Sequence, residues 1–493
     1  MAIEMAQKNK KPNIFKRIGH AIADFFANLF KRFRDGSVGT KLSHFIFGSG
    51  NLMHGQIIKG LIYLGLQVLI IFFLVASPEV NDTPYGFKAL ANLGLGGVEP
   101  RVDEWTLEPI PGTNDALRLL FGIITIAVII LYFIIWNSNV KSSFKADMDK
   151  KIGKKPTSFK EDIKDLFDKK FHLLMITPTM LAALIFTVLP TIFMISIAFT
   201  SYNTLDMGNT VLEDGTVGTT LFHWNGFTNF VTMFSGGTKL ANEISGRFLP
   251  VLSWTIVWAI LATVTCYFGG ILLALLINKK GLKGKKIFRT FFVLTIAVPQ
   301  FISLLAVRNL LNSVGPVNSL LQSWNWITEP IKFLGGSAGD PGNEYVAKAV
   351  VIIVNMWLGI PYTMLMTSGI LMNIPSDLYE AAQIDGASKG KMFFKITLPY
   401  IIFVTTPYLI SSFIGNINSF NTIFLLTGGY PQVGSYSAGG TDLLVTWLYK
   451  LTISSEQFNT GAVIGILTFI ITATITLITY RNSKAYKEED TFQ

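Results

Sequence analysis

Two sets of residues in this chain have types and spacing suited to chemistry. Asn355, Trp357, Tyr362, Asn416 and Asn418 place amides and aromatic rings inside long apolar runs. Unpaired polar groups are costly in hydrocarbon, so such amides either tie neighbouring helices together or bind a polar solute. Amides satisfy neutral hydroxyls and rings pack on the apolar faces of a pyranose, so the set suits a sugar. The second set is Glu380-Ala381-Ala382-Gln383-Ile384-Asp385-Gly386, followed after nine residues by Ile396-Thr397-Leu398-Pro399. It is a polar, helix-prone segment between two apolar runs, and it offers no covalent chemistry. Its regularity points to a grip by something outside the membrane.

Nucleotide, metal and redox chemistry find little support. Gly386-Ala387-Ser388-Lys389-Gly390-Lys391-Met392 has the look of a phosphate loop. The Walker pattern needs four residues between its glycines and a Ser or Thr after the lysine. Here there are three, Met392 has no hydroxyl, and no strand precedes. The five histidines, at 20, 44, 54, 172 and 223, are scattered. The single cysteine, Cys266, lies in an apolar run and reads as a small buried apolar side chain.

The elements that must position these residues are membrane helices. Half of the 493 residues are hydrophobic, and the mean hydropathy is +0.46, too apolar for a soluble chain of this length. At about 20 apolar residues per span, eight candidates emerge: 57–77, 117–136, 172–199, 249–277, 288–311, 347–372, 400–426 and 459–480. Pro299 and Arg308 interrupt the fifth, and Asn and Gly enrich the seventh.

Charge sets the expected orientation. Nine Lys/Arg, from Lys8 to Lys41, precede the first span, ten Lys lie in 137–170, and five Lys with no acid lie in 278–287. The loop 78–116 is acidic by contrast, with Glu79, Asp82, Glu99, Asp103, Glu104 and Glu108. Eight spans with both termini in the cytoplasm fit this alternation. The net charge of +10 then follows from topology rather than from nucleic-acid binding. The N-terminal segment lacks the apolar stretch of a secretory signal.

The chain divides into a basic arm 1–56, two spans with an acidic external loop 57–140, a Lys-rich connector 141–170, a third span with an external loop 171–248, a core block 249–480 holding the polar segment 376–399, and a tail 481–493. Residues 13–34 read as an amphipathic helix with Phe25, Phe26 and Phe33 near one face and basic residues around it, suited to an anionic membrane surface. Ser158 and Glu161 form a capping box. The loop 200–248 is expected to form a small β-rich cap. In the polar segment, Pro375 ends a span, Ser376 and Asp377 suit a helix start, and Gly386 permits a turn. A second short helix with Lys389, Lys391 and Lys395 exposed is expected, with Pro399 marking entry to the next span.

Glu380-Ala381-Ala382, three residues, Gly386, nine residues, then Ile396-x-Leu398-Pro399 resembles the EAA loop of binding-protein-dependent ABC importers. The resemblance extends to Val354-Asn355-Met356-Trp357-Leu358-Gly359-Ile360-Pro361-Tyr362, Ser412-Phe413-Ile414-Gly415-Asn416-Ile417-Asn418-Ser419-Phe420, Leu425-Leu426-Thr427-Gly428-Gly429 and Thr441-Asp442-Leu443-Leu444. These look like the larger, MalF-type permease of maltose/maltodextrin importers, closely over about 250–480 and more loosely from about 170.

The resemblance implies an all-α integral membrane protein of about eight spans, with a type I ABC importer permease fold and a cytoplasmic coupling helix. Glu380, Ala381, Ala382, Asp385, Gly386, Ile396, Leu398 and Pro399 would serve the ATPase contact. Asn355, Trp357, Gly359, Tyr362, Asn416, Asn418 and Ser419 would serve the sugar. Gly415 stands where the family has an aromatic ring, and Ser419 where it has an amide. The implied partners are a second homologous permease, two ATP-binding subunits, an extracellular solute-binding protein, an oligosaccharide and membrane lipid, with no nucleic acid. ATP and Mg²⁺ would bind those subunits, leaving this chain a non-enzyme without cofactor in the cell membrane. Two rivals remain at this point. An ion-coupled secondary carrier would want intramembrane carboxylates or broken-helix repeats, and the spans hold almost no acid. A polytopic membrane enzyme would want a His/Asp/Glu cluster at the bilayer face.

Overall fold

The computed structural model describes residues 14–76, 79–80, 83–95, 101–102, 105–106, 109–110, 114–203, 222–236, 239–279, 281–337, 340–432 and 438–482. Residues 204–221 and 237–238 of the loop 200–248, part of 78–116 and most of the tail 481–493 therefore lie outside the described residues. The chain forms two units, one of Met1–Ser196 with Leu205–His223, the other of Ile197–Thr204 with Trp224–Gln493.

In the first unit, helices α1 (Ile14–Asp35), α2 (Val38–Leu42) and α3 (Ser49–Met53) lead into α4 (Ile57–Ala76). A short helix α5 (Phe87–Leu95) precedes α6 (Asp115–Lys151), followed by α7 (Phe159–Phe167) and α8 (Phe171–Ile197). α6 runs well beyond the apolar stretch 117–136. The Asn114 side chain caps its start by accepting from the Leu117 N–H at 3.0 Å. Asp115 lies in its first turn and Lys150 and Lys151 in its last, both favourable to the helix dipole. No proline interrupts it, so the helix does not stop where the apolar run stops. The capping box at α7 forms as expected: Ser158 Oγ accepts from the Glu161 N–H, and Glu161 Oε2 accepts from the Ser158 N–H at 2.8 Å.

The second unit holds α9 (Thr228–Ser235), α10 (Lys239–Asn278), α11 (Lys285–Ala297), α12 (Gln300–Leu310), α13 (Pro316–Ser323), α14 (Glu344–Met372), α15 (Ser376–Ile384), α16 (Lys389–Ile417), α17 (Phe420–Leu426), α18 (Leu444–Tyr449) and α19 (Phe458–Asn482). α10 and α14 pack at its centre. Trp254 and Trp258 of α10 join Leu304, Val351, Ile423, Leu426 and Leu443 in a buried cluster drawn from five segments. The described part of 200–248 holds a bridge, Thr200 to Trp224, the helix α9 and the first residues of α10; the rest of the segment expected to form a β-rich cap lies outside the described residues.

Among the described residues, seven helices are long and apolar enough to cross a membrane. An eighth arises if α11 and α12 count as one span, but they meet at 94°. The expected span 288–311 is thus broken. Pro299 disfavours helix at the residue before it, and Val298 is extended at φ −82°, ψ 127°. The expected span 400–426 also needs correction. Its helix begins earlier, at Lys389, and ends at Ile417. Asn418 and Ser419, poor helix formers, leave helical geometry before α17 starts, with Ser419 at ψ 76°.

Candidate functional site

The polar segment folds as two arms about Gly386. Pro375 precedes α15, Asp377 sits in its first turn, and Ser376 Oγ bonds Asp377 Oδ1 at 3.3 Å. Good helix formers carry it to Ile384. Gly386 then adopts φ +72°, which a side chain would resist. Ser388 caps the next arm by accepting from the Lys391 N–H at 3.3 Å. That arm is not the separate short helix expected from the sequence. It continues through a wider-wound stretch, Phe393–Thr397, into the span itself, so Pro399 lies within α16 rather than at its entry.

Glu380, Ala381, Asp385, Gly386 and Pro399 are exposed, and Ala382, Ile396 and Leu398 are half-buried. Leu378 is exposed and Ile384 is 87% exposed, an apolar surface on a helix whose neighbours are polar. Tyr379 Oη bonds Thr397 Oγ1 at 2.8 Å and so fixes α15 to the foot of α16. The result is a small, braced projection joined to two spans.

The candidate sugar residues distribute over several neighbours. Asn355 and Gly359 face α10. The Asn355 amide donates to Cys266 Sγ at 3.4 Å, and a Cβ on Gly359 would come within 2.6 Å of that sulfur. Asn416 donates to Thr263 Oγ1 at 2.9 Å, and its carbonyl accepts from Trp258 Nε1 at 3.1 Å. Thr263 and Cys266 are three apart on one helix and hence neighbours on its surface. α10 thereby brings Asn355, Gly359 and Asn416 together.

Trp357 and Tyr362 are not in that group. Trp357 is 47% exposed and lines a cavity of about 240 Å³ with Phe291, Phe292 and Thr295 of α11 and Pro361. Tyr362, 54% exposed, packs on Tyr408 with ring centroids 5.9 Å apart. Asn418 is exposed at the edge of a cavity of about 570 Å³ shared with Thr468 and Thr472 of α19. Ser419 Oγ bonds Thr422 Oγ1 at 3.1 Å. Gly415 is exposed, with nothing within 4 Å of the place a Cβ would take.

Two features bear on chemistry at mid-span. Trp357 sits near the middle of the 29-residue α14, whereas Trp and Tyr facing lipid prefer the membrane surface. Pro361, inside the same helix, has no N–H to give to the Trp357 carbonyl. Sequence reasoning missed Trp258, Thr263 and Cys266 as supports. The four-residue spacing of Trp254 and Trp258 was a usable signal for a buried face; nothing in the sequence pointed from Cys266 to Asn355.

Residues 267–485 match the family described as the binding-protein-dependent transport system inner membrane component. The chain is 31% identical over 443 residues to the galactooligosaccharides transport system permease protein GanP of Bacillus subtilis, covering 90% of this chain and 96% of that one. It is 33% identical over 454 residues to the maltodextrin transport system permease protein MalC of Streptococcus pneumoniae, covering 90% and 95%. The maltose/maltodextrin transport system permease protein MalF of Salmonella typhimurium is 38% identical over 265 residues, 52% of this chain and 49% of that one. The resemblance read from the EAA segment and its flanking motifs is borne out, and the secondary-carrier and membrane-enzyme rivals fall away. The chain belongs to the binding-protein-dependent ABC importer permeases, within their MalF-type carbohydrate group.

Proposed function

We propose that this permease passes maltodextrin through a pathway beside α14 and α16, and that the projection 376–399 is its mechanical input. The observation that carries the coupling half is α15. It is exposed, braced by Tyr379 and turned back at Gly386, in a form suited to a cleft in a partner. Two ATP-binding subunits hydrolyse ATP with Mg²⁺, and their closure pushes this projection. This chain does no covalent chemistry and holds no cofactor. A second, homologous permease completes the pathway, and an external binding protein delivers the sugar. Both termini are cytoplasmic, since the basic segments flank the spans on that side.

Asn355, Asn416 and Asn418 supply amides, Trp357 and Tyr362 supply rings, Gly359 permits close helix approach, and Ser419 adds a hydroxyl. Exposed rings at membrane depth support a solute-facing or partner-facing role over a lipid-facing one. Affinity must differ between inward and outward states for transport to occur. The decisive experiment reconstitutes the four-part complex and tests which sugar stimulates ATP hydrolysis. Maltodextrins should stimulate. Stimulation by galacto-oligosaccharides alone, the sugar in the name of one relative, would change the substrate and leave the coupling intact.

A further inference from the structure

Gln67 is buried in the middle of α4, an otherwise apolar span. Hydropathy gives no reason for an amide there, and its partners do. Gln67 Oε1 accepts from the Phe47 N–H at 2.8 Å and Nε2 donates to the Phe45 carbonyl at 2.8 Å. Asn139 of α6 accepts from the Gly48 N–H at 2.8 Å and donates to the Ser43 carbonyl at 2.8 Å. Trp136 donates to the His44 carbonyl at 2.9 Å. Three side chains from two spans thus take up five backbone groups of the turn 43–48.

The turn lies deep. Gln67 is ten residues past Ile57, the first residue of α4, which is about 15 Å along a helix. Phe47 is buried and stacks on Tyr132 of α6 at 5.0 Å. Gly48 presses on Gly60 of α4, where a Cβ would meet the Gly48 carbonyl oxygen at 2.9 Å. Irregular backbone at membrane depth is tolerated only when protein satisfies its polar groups; in water, solvent would do so. Meanwhile Val38, Leu42, Ile46, Met53 and Phe45, the last 71% exposed, point away from the protein.

α1 continues this surface. Ile22, Phe26 and Phe30 are exposed. Its C-terminal end is tied to α6 by Arg32 Nη1 on Asn137 Oδ1 at 2.9 Å. Phe33 packs on His44 at 5.2 Å. Lys31, Lys41, Lys141 and Lys145, all exposed, belong to these same elements.

We infer that residues 36–56 are a re-entrant wedge in the cytoplasmic leaflet, stapled by Gln67, Asn139 and Trp136, and that α1 lies over it on anionic phospholipid headgroups. Assignment to the cytoplasmic leaflet rests on the orientation proposed above; burial in hydrocarbon does not. Apolar side chains with a basic surround match an anionic interface.

Spin labels at Phe45→Cys and Phe30→Cys, in the chain assembled with its partner subunits in nanodiscs, test this. Wild type labelled in parallel measures the background from Cys266. In discs containing phosphatidylglycerol, oxygen should relax the Phe45→Cys label several-fold more than an aqueous nickel chelate does. Dominance of the chelate would place the turn in water and overturn the wedge. The Phe30→Cys label should be ordered with phosphatidylglycerol and mobile with phosphatidylcholine alone. An identical spectrum in both lipids would overturn the anionic partner. Order lost only on stripping the ATP-binding subunits would overturn it too, in favour of a protein partner. Gln67→Leu should abolish the depth signature at Phe45→Cys, and a retained signature would refute the stapling role. Depth is read without sugar or ATP, so failure here leaves the transport reading standing.

Discussion

The coupling projection and the sugar-contact set belong to the same unit and were equally visible as residue types, yet they differ in how they are built. Residues 376–399 are contiguous, exposed and governed by local rules: a proline before the helix, an acid in its first turn, small alanines, and a glycine at positive φ. The proposed sugar-contact residues come from α14 and from the end of α16 and the two residues after it, and α10 positions Asn355, Gly359 and Asn416. The proposed coupling part carries its geometry in its own sequence. A part made by juxtaposition inherits geometry from neighbours far along the chain.

Substitutions can break or sharpen that contrast. Gly386→Val has open space around the new side chain, so its cost is confined to the backbone, about 1–2 kcal/mol. The protein should reach the membrane in normal amount while sugar uptake and sugar-stimulated ATP hydrolysis fall to background. Normal uptake would dissolve the distinction between the two regions. Gly359→Ala drives a methyl into Cys266 and should cost about 1–3 kcal/mol of stability by overpacking, read as lowered thermal stability in detergent. Cys266→Ala in the same chain should restore most of it; simple additivity would show that the two helices do not constrain each other there.

Trp357→Ala should raise the sugar concentration for half-maximal ATPase stimulation roughly tenfold, the equivalent of about 1.4 kcal/mol of lost ring contact. A lower maximal rate at unchanged half-saturation would make Trp357 a packing residue. Tyr379→Phe removes one hydrogen bond worth about 0.5–1.5 kcal/mol. It should reduce coupling efficiency, measured as sugar moved per ATP hydrolysed, by a few-fold at most. No change would mean that α15 needs no brace beyond its chain connections.

The spans were legible because apolar length is a direct physical requirement of the bilayer. The capping box at Ser158 and Glu161 and the turn at Gly386 were legible because each depends on residues adjacent in sequence. Pro299 announced an interruption but not its 94° bend, since a proline fixes one dihedral and the surrounding packing fixes the rest. Asn418 and Ser419 were read as site residues inside a span, whereas they also end the helix. Gln67 sat in the open within an apolar span; its backbone partners lie 20 and 22 residues away. The supports of Asn416 lie more than 150 residues away, and no local pattern reports them.

α16 has a mechanical consequence. Its 29 residues from Lys389 to Ile417 form one helix, about 40 Å of continuous backbone between the Gly386 turn and the Asn416 carbonyl. Pro407 inside it removes one helical hydrogen bond, so any bend between foot and head is expected there. The head bears on Trp258, and Trp254 one turn away donates to the Thr441 carbonyl at 3.2 Å. The proposed coupling projection and the Asn416 amide are thus the two ends of one continuous helix.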